Sequence, residues 1–145
     1  MLAVSGLVVG LVLVLVLFVL AIPSLTESGR VEVQLGPERF DAGRAEDRAV
    51  EVAERGPILF ADVAGRDRDV YVQHVGDDPT RGWFVFDARR PGTGRDCTLE
   101  WQSTASEFTD PCGGEPIDEL GTGLPQYAVE VTEEGQVVVD FRSGS

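Results

Sequence analysis

The chain has 145 residues, 26% of them charged, with a net charge of −13 in which all twelve cations are arginine. That balance excludes a nucleic-acid partner, because neutralising phosphates takes a basic face, and it equally excludes adhesion of the polar part to anionic lipid. Acidity without lysine is mainly a statement about solubility.

Leu2 to Ile22, "LAVSGLVVGLVLVLVLFVLAI", carries no charge and only small or apolar residues. A helix of that length rises about 30 Å, enough to span the hydrocarbon core while satisfying its own backbone. A cleaved signal peptide is the competing reading, but the stretch lacks a basic leader and a clear small-residue cleavage site. Residues 1–22 are therefore expected to be a retained transmembrane anchor. Residues 23–29, "PSLTESG", form a polar linker, and residues 30–145 are long enough for one small domain.

In that domain "RVEVQL" (Arg30–Leu35) alternates apolar and polar residues as a half-buried strand does. The stretch from Gly36 to Pro57 is ambiguous: its charged middle suits a helical turn or a loop, while Val50 and Val52 alternate like a strand. Then come "PILFADV", "DVYVQHV" and "GWFVFDA", apolar, β-branched and aromatic, separated by turns rich in Gly, Asp, Pro and Arg. "QYAVEV", "TEEGQ" and "VVVDF" read as a closing hairpin. With no convincing helix beyond the anchor, the pattern predicts an all-β fold, a small antiparallel sandwich or barrel.

The cysteines, Cys97 and Cys112, both lie in "DCTLEWQSTASEFTDPCGG". They could hold a metal, carry redox chemistry, or tie two loops together. A catalytic disulfide is disfavoured, because thiol exchange needs an activated thiolate and Asp96 and Asp110 would raise the thiol pKa. A zinc site from the two cysteines, His74 and a carboxylate such as Asp110 has no support in the spacing. His74 reads as an ordinary strand residue. Trp83, Phe84 and Phe86 read as core, and Trp101 as packing near the cysteine loops. Asp67 and Asp69 lack the rest of a calcium loop. The turn acids Asp77–Asp78, Asp118–Glu119 and Glu133–Glu134 suggest no acid–base pair. No nucleophile triad, phosphate loop or dinucleotide fingerprint is present, and no enzyme is expected.

From about Gly56 to Phe141 the chain resembles the Rieske family. "DCTLEW" stands where the family has its first box, roughly Cys-x-His-Leu-Gly-Cys. "DPCGG" stands where it has the second, Cys-Pro-Cys-His-Gly-Ser. "GTGLPQYAVEV" follows like the downstream signature, through Leu124, Tyr127 and Val129. The resemblance implies a small antiparallel β-domain with the boxes on facing loops, and, with the anchor, a likeness to the Rieske subunits of quinol–cytochrome c reductases. The family's [2Fe–2S] cluster needs two cysteines and two histidines. At the ligand positions this chain has Asp96, Thr98, Asp110 and Gly113, and its only histidine is His74. No cofactor is expected. Cys112 stands where some Rieske proteins carry a non-ligand cysteine bonded to the opposite loop, so the resemblance implies a Cys97–Cys112 disulfide joining neighbouring hairpin tips. A lasting disulfide in turn implies a domain outside the cytoplasm, on a single-pass protein of the cell membrane. The expected role is a non-enzymatic structural or interaction subunit of a membrane electron-transfer complex. The alternative is an electron carrier with an unusual cluster ligated by Cys97, Cys112 and carboxylates.

Overall fold

Period-two hydrophobicity forms most of the domain. In the computed structural model, which describes residues 38–64 and 68–144, nine strands and one α-helix follow in the order β1 (Arg39–Arg44), α1 (Ala45–Arg55), β2 (Ile58–Val63), β3 (Arg68–His74), β4 (Trp83–Asp87), β5 (Glu100–Gln102), β6 (Glu107–Thr109), β7 (Ile117–Asp118), β8 (Gln126–Val131) and β9 (Gln136–Asp140). The expected anchor, the linker and the strand at Arg30–Leu35 lie outside the described residues. Among the described residues no helix is long and apolar enough to cross a membrane.

All pairings are antiparallel. Six strands form one sheet in the order β1-β9-β8-β4-β3-β2, and β5-β6-β7 form a second, smaller one. The large sheet is rolled so far that its two edge strands nearly meet: the rings of Phe40 on β1 and Phe60 on β2 lie 5.1 Å apart, edge to face. Helix α1 links those two strands in sequence and packs on both. An edge left open would expose unpaired backbone groups, and a helix laid along it covers them.

The helix corrects the expectation of a domain without one. Its inward face is Ala45, Ala49 and Val52, at helical spacing, with Ala45 and Val52 buried. Glu46 and Asp47 in the first turn and Arg55 in the last suit the helix dipole. Val50, which with Val52 suggested strand alternation, points to solvent and is 57% exposed. The helix ends at Gly56, whose φ of +87° few other residues tolerate. A Cβ there would lie 2.3 Å from the indole nitrogen of Trp101, so glycine is required twice over.

Strands β3 and β4 are the wall shared by two cores. On one face Val70, Val72 and Val85 join Val137, Val139 and Trp83 inside the rolled sheet. On the other, Tyr71 and Phe86, directly paired across the strands, are roofed by Phe108, Ile117 and Leu99 beside the small sheet. Five consecutive residues of β3, Asp69 to Gln73, are buried for this reason. The ring of Phe86 also needs Gly121 above it, where a Cβ would come within 2.4 Å.

Candidate functional site

The cysteine segments flank the small sheet. Cys97 ends a single 3-10 turn, Arg95–Cys97, just before β5, and Cys112 follows β6. The β5–β6 register pairs Glu100 with Thr109, Trp101 with Phe108 and Gln102 with Glu107. Three residues outward from the Glu100–Thr109 pair, 97 meets 112. The two sulfurs are bonded, with the Cα atoms 5.3 Å apart, inside the usual disulfide range. The bond therefore joins the β4–β5 and β6–β7 connections, across the open end of the β5–β6 hairpin. Antiparallel pairing places residues equidistant from a turn opposite each other, so one hairpin suffices to bring the cysteines together.

A second connection lies beside the first. Asp110 has a side chain only 1% exposed, and its Oδ2 accepts from Nε of Arg90 at 3.0 Å. Its Oδ1 accepts from the backbone N–H of Cys112 at 2.8 Å. Arg90 also donates to the Glu115 carbonyl at 2.5 Å, crossing over Gly114, and its own carbonyl accepts from Thr93. The β4–β5 connection is thus fastened to the β6–β7 connection by an ion pair as well as by sulfur. Leu99 anchors the first segment from beneath: it is 1% exposed, donates its N–H to the Ala88 carbonyl, and accepts from the Tyr71 hydroxyl at 2.7 Å. Burial, with Glu100 nearby, raises the Tyr71 pKa above that of a free phenol, so the hydroxyl stays a donor.

Three of the four positions where the resemblance puts cluster ligands have other roles. Asp110 is the counter-ion of Arg90. Thr98 is half-buried and donates its hydroxyl to the Arg95 carbonyl at 2.8 Å. Gly113, at φ +101°, turns the chain and donates to the Asp110 carbonyl. Asp96 is exposed, and its carboxylate is the only acid among the described residues grouped with both sulfurs, all within 4.8 Å. His74 is elsewhere: its Nε2 sits 3.0 Å from the carbonyls of Asp78 and Arg81, and its ring lies 4.5 Å from that of Trp83. A zinc set of both cysteines, His74 and Asp110 does not assemble. Nor do these residues fit a [2Fe–2S] cluster, because the two sulfurs are spent on each other and His74 is held in the β3–β4 turn.

Trp101 packs on Phe108, ring centroids 4.9 Å apart, and against Gly56 at the end of α1. It ties the small sheet to the helix. Arg90 went unnoticed in the sequence. Its only signal was the pair "RR" in a turn, and nothing local names a partner twenty residues away.

Replacing Asp110 by Asn keeps an acceptor for Cys112 but removes the charge facing Arg90. The expected loss is about 1–2 kcal/mol, modest because the Arg90 side chain remains one-third exposed. Urea unfolding of Asp110→Asn, Arg90→Gln and the double variant checks it; the double variant should lose less than the sum.

No family model matches the chain, and no curated protein matches it. Among solved structures it is similar to the crystal structure of the cyanobacterial plasma membrane Rieske protein PetC3 from Synechocystis PCC 6803. The identity is 18%, covering 69% of this chain and 97% of that one, with a TM-score of 0.49.

Proposed function

We propose that this chain is a membrane-anchored, Rieske-like domain that carries no iron–sulfur cluster and serves as a structural or interaction subunit on the extracytoplasmic side. The observation that carries this reading is the Cys97–Cys112 bond, together with Asp110 committed to Arg90. Iron–sulfur ligation requires thiolates. Both sulfurs are oxidised and paired, and the buried carboxylate at the second box is neutralised by a guanidinium. The loops that would hold a cofactor are held to each other instead.

A membrane electron-transfer complex is the proposed host, on the strength of the sequence resemblance and the apolar N-terminal stretch. The experiment is gentle extraction of the full-length protein from its native membrane, followed by identification of what copurifies and measurement of iron and visible absorbance. We expect colourless protein in a stable stoichiometric assembly. Protein that runs alone removes the subunit reading, and stoichiometric iron with a reducible EPR signal establishes the alternative, an electron carrier ligated by Cys97, Cys112 and carboxylates.

A further inference from the structure

A second feature lies around the β4–β5 connection. A polar cavity of about 220 Å³ opens between the start of β3, the end of β4, the turn after it and β8. Arg68, Arg89 and Arg90 line it, together with Asp69, Asp87, Thr93 and Tyr127. In a chain of net charge −13 with twelve arginines, three guanidinium groups around one cavity are a local reversal of sign.

The three do not stand alike. Arg90 is committed to Asp110, and Arg89 lies 3.9 Å from Asp69. Arg68 is half-buried, with its guanidinium carbon 5.3 Å from the Tyr127 ring centre and 5.2 Å from that of Phe141. It makes no side-chain hydrogen bond or ion pair with any described residue. Aromatic contacts orient a guanidinium while leaving its N–H groups unused, and that planar fork matches a carboxylate.

The acids in the lining set the charge of the ligand. Asp87 accepts from the Tyr127 hydroxyl at 2.7 Å, and burial, aided by that bond, pushes the Tyr127 pKa well above the ordinary phenol value. Tyr127 therefore stays neutral, and its hydroxyl stays bonded to Asp87. Asp69 accepts from the backbone N–H of Asp62 and faces Arg89 and Arg95. Three arginines against two aspartates leave the lining one positive charge in surplus, which a single negative charge balances and a doubly charged anion exceeds. The volume admits a carboxylate on a short carbon chain.

We propose that this cavity binds a carboxylate monoanion, with Arg68 as its forked donor. The carboxylate belongs either to a small organic acid or to an acidic side chain of another protein. This inference does not depend on whether the domain lacks a cluster or acts as a subunit.

The test is titration of the full-length chain, followed by proton–nitrogen NMR, with three probes: propionate, an end-blocked glutamate-containing peptide, and inorganic phosphate at pH 8, where it is a dianion. Saturable shifts at Gly92, Thr93 and Tyr127 with propionate support the proposal. Shifts with the peptide alone also support it and assign the carboxylate to a partner chain. Arg68→Gln should weaken binding about tenfold or more, as loss of a charge-assisted bidentate contact implies. Arg68→Lys, which keeps the charge and serves if the glutamine variant does not fold, should weaken it less, though measurably. No shift at the cavity with either carboxylate overturns the proposal. So does unaltered affinity in Arg68→Lys, or phosphate binding as tightly as propionate.

Discussion

Phe108→Ala should lower the unfolding free energy by about 3–5 kcal/mol, the cost of deleting a fully buried aromatic ring and leaving a cavity. Phe108 is 0% exposed and occupies the middle strand of the small sheet, paired with Trp101 on one side and Ile117 on the other. Its ring centre lies 4.7 Å from that of Tyr71, 5.5 Å from Phe86 and 4.9 Å from Trp101. Two of these neighbours come from the shared wall of the large sheet and one from the hairpin itself. No smaller side chain can touch all three, and β-strand pairing prevents the backbone from sinking to fill the gap. In guanidinium unfolding the midpoint should fall while the slope is kept, since the surface exposed on unfolding barely changes. A loss below about 1 kcal/mol, within the range of ordinary surface changes, would mean that the small sheet is not seated on this ring.

The same ring shows what a sequence can and cannot display. Strands β3, β4, β8 and β9 were legible because each has enough residues to show period two, bounded by glycine, proline and acidic turns. Strands β5, β6 and β7 have three, three and two residues. No period can be read from so few. Helix α1 is ambiguous in the sequence for another reason. Two of its three inward residues are alanine, which adds little hydrophobic contrast, and the exposed Val50 supplied a false alternation with Val52. The roles of Asp110 and Arg90 depend on a loop crossing that no local pattern encodes.

The cysteine pair was the part of the site best served by resemblance, and the fold gives it a simpler cause. Because 97 and 112 are equidistant from the β5–β6 turn, the hairpin register alone aligns them. Asp110, bonded to the Cys112 N–H and to Arg90, and Leu99, bonded to Tyr71 and Ala88, hold each arm from outside the bond. The sulfurs meet on a framework that other contacts already define. That is the arrangement expected of a stabilising crosslink, whereas an exchange centre requires an activated thiolate with room to move.

This arrangement fixes the second large effect. Cys97→Ser with Cys112→Ser should cost about 3 kcal/mol, the chain-entropy value for a closed loop of about 15 residues, and lower Tm by about 12–20 °C in a domain of this size. The folded state should survive the change, because Arg90–Asp110, Leu99 and Phe108 still hold the two arms in register; unchanged near-ultraviolet circular dichroism below the transition would show it. Wild-type protein unfolded in the presence of a dithiol reductant should melt with the double variant, since both then lack the same constraint on the unfolded chain. If wild type and the double variant melt together without reductant, the bond contributes nothing to stability, and the sulfurs must be kept for a chemical purpose. If the variant fails to fold at all, the register comes from sulfur, and the ion pair beside it is a consequence of the bond.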